Sequence, residues 1–328
     1  MSSAHSASAR ARANIALAKY WGKLDANLNL PAVPSISITL DPLVTETRVE
    51  FLADLQHDEF LLNGEPSLSV ELGRTTQLLD RVRAESGLTH KARVSSKNHF
   101  PTASGLASSA SGFAALAAAA RAAAGLPYDA AKVSALARRS SASAARSVFG
   151  GFVELPAGKV GDDALAAHVI HEPSYMPVSI VVAVTAEGRK AVGSTDGMTH
   201  TRLTSPYYEA WVEAAPKLAD EVRAGFVARD LGRIGRAMEQ STLAMHACGL
   251  AAGPGLAYWQ PATLAAFLRV RELRDSGLEV YATMDAGPHV KALCRASDAL
   301  AVSKALSEVP GVLRTLLASP GPGVEVSS

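Results

Sequence analysis

Apolar and polar positions change period several times along this chain. Ile36 to Leu40 (ISITL) and Val44 to Leu52 are rich in β-branched residues and partly alternate, which predicts strands. Asn63-Gly64, between FLL and a later apolar segment, is the dipeptide of a tight hairpin. From Thr75 to Ser86 the residues Leu78, Leu79 and Val82 recur at helical spacing until Gly87 stops the run. Ala92 to Ser96 returns to a strand pattern and enters a loop, Lys97 to Leu106. Residues 107–124 are the most alanine-rich part of the chain and predict a long helix, because alanine costs least in a helix and lets neighbours approach. Gly125-Leu126-Pro127 ends it. Asp129 is placed to cap a second helix to about Arg139. A short helical stretch from Ser143 to Phe149 then precedes Gly150-Gly151 and the strand FVEL.

A near-continuous β-branched run, Val178 to Val184 (VSIVVAV), predicts a buried strand and opens a second domain. Helices are expected over roughly 205–224, 230–246 and 261–275. After them come a strand from Glu279 to Met284, a helix from about His289, and a final helix from Asp298 to about Glu308. The first dozen residues are expected to fray and the PGPG near the C-terminus to be loose. Strands and helices mix without regular alternation, an α+β order with no internal repeat. The division is set at 1–176 and 177–328.

A length of 328 residues suffices for two medium domains with a substantial core. Hydrophobic residues make up 48%, charged residues 19%, and the net charge is +1, so nothing supports a nucleic-acid or membrane-surface partner. Any anion must be bound by local arrangement. Cys248 and Cys294 lack CxxC spacing and suit a reducing compartment. The polar, basic start has no apolar core of a secretory signal, and the longest apolar run, Phe113 to Ala124, is too short for a bilayer. A cytoplasmic protein is expected.

The loop Pro101-Thr-Ala-Ser104-Gly105-Leu106-Ala107-Ser108-Ser109-Ala110 carries the first chemistry. Gly105 frees the backbone, and Ser108 and Ser109 lie where the long helix starts, so N–H groups and the helix dipole converge on one spot suited to a polyphosphate. It is neither a Walker A nor a GxGxxG loop, and by composition alone a small-residue loop before a helix is more often structural than functional. Asp285, in Thr-Met-Asp-Ala-Gly-Pro, is either a general base or the cap of the helix expected after it, whose N-terminus would keep the carboxylate ionised. Arg146, taken alone, reads as a surface ion pair. The nine histidines are scattered, and His246 in AMHACG reads as a packed helical residue.

Five segments in order resemble one family. PTASGLASSA resembles the phosphate-binding loop of the GHMP kinase superfamily. Ala13-Asn14-Ile-Ala-Leu-Ala-Lys19-Tyr20-Trp21-Gly22-Lys23, Asn98-His99-Phe100-Pro101, Arg138 to Glu154 (RRSSASAARSVFGGFVE) and Thr283 to Pro288 narrow the match to the diphosphomevalonate decarboxylase family. The resemblance covers nearly the whole chain. It implies an N-terminal α/β domain like domain 2 of ribosomal protein S5, a C-terminal α+β domain of ferredoxin-like character, and a cleft between them. The implied reaction is phosphorylation of a tertiary alcohol by ATP, followed by loss of phosphate and carbon dioxide, on mevalonate 5-diphosphate.

By that resemblance Asp285 is the base, Arg146 aligns the substrate carboxylate, and Lys19 stabilises charge developing at the hydroxyl. Tyr20, Lys23, Arg74, Ser141, Ser143, Arg146, Ser194 and Met198 form the substrate site. Asn98, Pro101, Ser104, Gly105, Leu106, Ala107, Ser108 and Ser109 bind ATP, with Mg²⁺ at Ser109. A homodimer is implied by the family alone. Because Ser141 and Ser143 are two apart, a loop or helix start would serve them better than a helix face. Three positions depart from the family's pattern: Ala32-Val33-Pro34-Ser35 lacks its asparagine, Ser140-Ser141-Ala142-Ser143 replaces GSGS, and His99 replaces an asparagine. Mevalonate 5-phosphate and mevalonate therefore remain alternative substrates. A GHMP kinase whose phosphorylated product survives and a non-catalytic ATP-binding protein are the competing readings.

Overall fold

The computed structural model describes residues 5–67, 70–100, 108–188 and 191–327. The chain opens with strands β1 (Ser6–Ala18), β2 (Lys23–Asp25), β3 (Leu30–Pro31), β4 (Ser35–Leu52), β5 (Glu59–Leu62) and β6 (Glu65–Pro66). Helix α1 (Val70–Ser86) and strand β7 (Lys91–Asn98) follow, then helices α2 (Ser108–Ala123), α3 (Ala130–Ser140) and α4 (Ala144–Ser147). Strands β8 (Phe152–Leu155) and β9 (His168–His171) end the first half. The second half starts with β10 (Val178–Val184) and helices α5 (Ser194–Thr204), α6 (Tyr208–Ala228), α7 (Leu231–Leu250) and α8 (Pro261–Asp275). It ends with β11 (Val280–Met284), β12 (Val290–Arg295), α9 (Ala299–Ser307), β13 (Arg314–Pro320) and β14 (Glu325–Ser327).

Strand β4 organises the first half. The two β-rich stretches read from the sequence are one strand of 18 residues, paired with β1, β7, β8 and β13. Its pairing with β13, Leu40 to Pro320 and Asp41 to Ser319, joins the ribbon β11-β12-β10-β13 to the N-terminal strands in one sheet. We propose the domain division ahead of β10, with the C-terminal residues returning to the first domain.

Helix α2 lies across β1 and β4. Its alanines at 114, 115 and 117–120 are essentially without solvent contact. Small side chains let the helix axis sit close to the sheet, and the absence of a polar face fits burial nearly all round. Asp129 caps α3 by accepting from the N–H groups of Ala131 and Lys132. Asn63 and Gly64 both have positive φ, 53° and 88°, the geometry of a type I′ turn. In the second half, α6 and α7 pack together, and α7 covers β11 and β1. Gly235 on α7 lies against the Tyr281 ring, where a Cβ would sit 2.1 Å from a ring carbon. That helix reaches the sheet only because the residue has no side chain.

Three expectations fail. The segment after Pro288 is strand β12, not a helix: Val290, Ala292 and Cys294 join one apolar cluster and Leu293 another, a period of two that its alanine and leucine content disguised. The N-terminus is not frayed from Ser6 onward, since Ser6 to Arg12 pair with Glu50 to Val44 of β4. Nor is the PGPG loose. Gly321 N–H donates to Thr39 O at 2.8 Å, Gly321 O accepts from Gly151 N–H at 2.9 Å, and Val324 N–H donates to Val148 O at 3.0 Å. Helix α5 has no counterpart in the sequence reading.

Candidate active site

Two buried strand ends meet at the floor of a cleft. Strand β1, with Ile15 and Leu17 wholly enclosed, ends at Ala18 and delivers Lys19. The Lys19 N–H donates to Ser241 Oγ on α7 at 3.0 Å, which fixes where the side chain departs. Strand β11, buried along its whole length, ends at Met284 and delivers Asp285 into a turn closed by Gly287 N–H on Asp285 O at 2.7 Å. A Thr242–Thr283 hydroxyl pair at 2.7 Å pins α7 to β11 beneath them. Lys19 Nζ donates to Asp285 Oδ1 at 2.6 Å, and Lys291 Nζ lies 3.1 Å from Asp285 Oδ2.

Electrostatics follow from this enclosure. Burial alone would raise the Asp285 carboxyl, but the two ammoniums outweigh it and hold the group well below the usual carboxylate range. Lys19 after β1 and Lys291 of β12 do this, not a helix dipole, because the element directly after Asp285 is strand β12; for the same reason Asp285 is no helix cap. Burial lowers Lys19 to about 8, with Lys291 and Arg146 pushing the same way against Asp285. It likewise lowers Arg146 to about 10.

Arg146 is on the short helix α4 and almost wholly enclosed, at 2% exposure, so it is not a surface ion pair. Its guanidinium donates to Ser35 Oγ at 2.5 Å and to Asn14 Oδ1 at 3.3 Å. Asn14 in turn donates to Ser147 Oγ at 2.7 Å and Ser143 O at 3.0 Å. The β1–β4 register shifts between Arg12 and Asn14, an irregularity of the kind that re-aims side chains beside functional sites. Arg146 Nε is buried and finds no hydrogen-bond partner among the described residues, and the same holds for the Tyr20 hydroxyl. Such orphans call for a ligand.

Toward the mouth the side chains are less enclosed. Lys23 follows β1, and its ammonium is pushed down by burial and then by nearby Arg74 of α1, with Asp196 opposing. Two cations crowded together favour an anion between them. Ser141 caps the C-terminal end of α3, Ser143 caps the start of α4, and their hydroxyls meet at 3.0 Å. They occupy a loop and a helix start. Ser194 opens α5, which carries buried Met198. On the far wall Asn98 ends β7 and accepts from Thr45 Oγ1 at 2.7 Å, while Ser108 and Ser109 open α2. Pro101, Ser104, Gly105, Leu106 and Ala107 lie outside the described residues.

These walls enclose a cleft of about 660 Å³ lined by Lys19, Tyr20, Lys23 and Arg74, by Asn98, Ser108 and Ser109, and by Ser141, Ser143, Arg146, Ser194, Met198 and Asp285. Every described residue singled out from the sequence thus borders one cavity. Phe60, Leu62, Val94 and Phe113 add an apolar side near the start of α2. His246 is buried on α7 between Tyr258 and Trp259, and burial pushes it down to about 3, so it stays neutral there. Cys248 and Cys294 are buried and unbridged.

Comparison with known proteins gives the family. Residues 11–166 match a family model described as the diphosphomevalonate decarboxylase-like N-terminal domain, and residues 180–314 match the mevalonate 5-diphosphate decarboxylase C-terminal domain. The chain belongs to the diphosphomevalonate decarboxylase family. The curated diphosphomevalonate decarboxylase of Eremothecium gossypii is 36% identical over 303 residues, 86% of this chain and 76% of the relative. The solved mevalonate diphosphate decarboxylase of Staphylococcus aureus superposes with a TM-score of 0.93 at 36% identity, over 98% of both chains. A further structure, described as a complex with MVAPP, AMPPCP and magnesium, gives 0.92 at 39% identity, over 98% of this chain and 99% of that one. The α+β, two-domain GHMP kinase-like architecture expected from the sequence therefore stands.

The sequence reading missed Asn14 and Ser35, which brace Arg146, and Lys291, which holds Asp285. Asn14 lay inside a quoted segment without a role. Reading MDAGPHVK as a hairpin turn rather than a helix start would have set Lys291 beside Asp285, because the register pairs Thr283 with Lys291.

Proposed function

We propose that this chain carries out the ATP-dependent decarboxylation of mevalonate 5-diphosphate to isopentenyl diphosphate, releasing ADP, phosphate and carbon dioxide. One observation carries the reading: three enclosed cations, Lys19, Arg146 and Lys291, share a single carboxylate, Asp285, at the floor of a cleft. That floor holds surplus positive charge in a low-dielectric setting, and a substrate bearing a carboxylate and receiving a phosphoryl group compensates it.

Asp285 orients the tertiary hydroxyl and takes its proton as the oxygen–phosphorus bond forms; the hydroxyl becomes acidic only then, so a carboxylate of low basicity suffices. Lys19 faces the same oxygen and stabilises charge growing there. Arg146, fixed by Ser35 and Asn14, grips the substrate carboxylate with its planar fork. The C1–C2 bond then breaks toward C2, its electron pair forms the C2–C3 double bond, and phosphate leaves C3. Lys23, Arg74, Tyr20, Ser141, Ser143 and Ser194 hold the diphosphate at the mouth. Asn98, Ser108, Ser109 and the 101–107 loop take the nucleotide.

No cluster of three or more His, Cys, Asp or Glu side chains suited to a metal occurs among the described residues, and Asp285 is engaged at both oxygens by lysines. The Ser109 hydroxyl, at the start of α2 and on the cleft wall, would hold a magnesium ion arriving with ATP, which would supply neutralisation of the phosphate charge. Among the described residues no helix is long and apolar enough to cross a membrane. With the two unbridged cysteines, this supports a cytoplasmic location. The homodimer rests on family analogy.

The deciding measurement is turnover on mevalonate, its 5-phosphate and its 5-diphosphate side by side, following ADP, phosphate and carbon dioxide. Equal amounts of the three, fastest from the diphosphate, are expected. A stable phosphorylated product without gas would make this a kinase, and preference for the monophosphate would reassign the substrate.

A further inference from the structure

Lys291 occupies an inner strand of the C-terminal ribbon, opposite Val182 of β10 and Thr283 of β11, and no part of it reaches solvent. Alternation along β12 sends Val290, Ala292 and Cys294 into the cluster with α8 and α9. Lys291 shares the other face with Leu293, toward α7 and β1. Packing gives no reason for a lysine here, since an ammonium taken out of water is expensive and a leucine or methionine would fill the space. What it reaches is Asp285: Nζ lies 3.1 Å from Oδ2 while Lys19 holds Oδ1 at 2.6 Å. The groups facing this carboxylate are Lys19 after β1, Lys291 of β12, Arg146 of α4, and the neutral His246 of α7 and His289 before β12.

We propose that Lys291 is a positioning residue for phosphoryl transfer, holding Oδ2 of Asp285 so that Oδ1 is the oxygen turned to Lys19 and the substrate hydroxyl. With one ammonium alone the carboxylate could rotate about its terminal bond, and either oxygen could meet the substrate. With an ammonium at each oxygen the plane is locked. In the transfer step the hydroxyl O–H bond breaks, its proton goes to Oδ1, and the new O–P bond forms as ADP departs. The ammonium beside Oδ2 disfavours the protonated acid, so that proton passes on to water before the next turnover. The inference rests on the reaction proposed above.

The test compares wild type with Lys291→Met and Lys291→Arg. In Lys291→Met, kcat is expected to fall about 100-fold, the cost of a misplaced catalytic group, with KM for substrate and ATP within about threefold. The acid limb of the kcat/KM profile is expected to move up by about one pH unit or more, because an opposite charge at this distance normally depresses a carboxyl by that much. Lys291→Arg retains the charge and should keep the limb where wild type has it. A second readout needs no substrate: aspartate labelled with carbon-13 at the carboxyl, with the Asp285 signal assigned by its loss in Asp285→Asn. That signal should titrate at higher pH in Lys291→Met than in wild type. Unchanged kcat, limb and titration in the methionine variant would overturn the inference. Should Lys291→Met fail to fold, as read by circular dichroism, Lys291→Gln replaces it in the same comparison. If wild type does not turn over mevalonate 5-diphosphate, the proposed reaction falls, while the resting-enzyme titration still decides whether Lys291 holds Asp285.

Discussion

The floor and the mouth of the cleft use the same residue types in opposite ways. At the floor, Lys19, Lys291 and Arg146 are enclosed and come from strand ends or a helix braced by neighbouring hydroxyls and an amide. At the mouth, Lys23 and Arg74 are only partly enclosed, Ser141 and Ser143 sit on helix caps and Ser194 opens α5. Burial strengthens charge interactions and removes side-chain freedom, so floor groups are preorganised for charge that appears only in the transition state. Mouth groups keep water and mobility, which suits gripping a diphosphate equally in ground and transition states. Such uniform binding lowers KM without raising kcat.

The sharpest way to break this contrast is Asp285→Asn, which removes the proton acceptor while keeping shape. A loss in kcat of roughly 10³-fold is expected, with ATP binding by isothermal titration nearly unchanged. Full activity in that variant would end its assignment as base. At the mouth, Lys23→Ala and Arg74→Ala should each raise KM for the diphosphate substrate about 10- to 100-fold, the worth of one charge-assisted hydrogen bond, with kcat within about threefold. The effect should shrink with mevalonate 5-phosphate. A fall in kcat instead would dissolve the distinction between the regions.

The smallest effect is the pH profile. Lys19 is lowered to about 8, so it is charged below that pH and neutral above it. Asp285, held well below the usual range, stays ionised through mildly acid conditions. Activity followed from pH 5 to 9.5 should therefore be flat on the acid side and decline as pH rises through about 8. An acid limb near pH 5 would mean the lysine clamp is not holding.

Legibility in the sequence tracked locality. The Asn63-Gly64 turn, the alanine-rich α2, the Asp129 cap and the buried run of β10 were readable because a few adjacent residues decide each. So was the family, since its motifs are short and ordered. β12 was misread because its period of two is confined to six residues whose composition suits a helix. β1 was hidden because the inward face of its first half is alanine alone, Ala7, Ala9, Ala11 and Ala13, and is buried only because β4, β14 and α2 lie against the strand.

The sequence by itself determined the residue types of the reaction, their order along the chain and the local elements that carry most of them. The tertiary structure alone decided that Asp285 meets Lys19 across 266 positions of separation, that Lys291 completes the clamp, and that Asn14 and Ser35 aim Arg146. Local preference acts between near neighbours, whereas a buried charge is stable only where the fold brings its partner. That pairing is settled by sheet register and packing, which no short window of sequence contains.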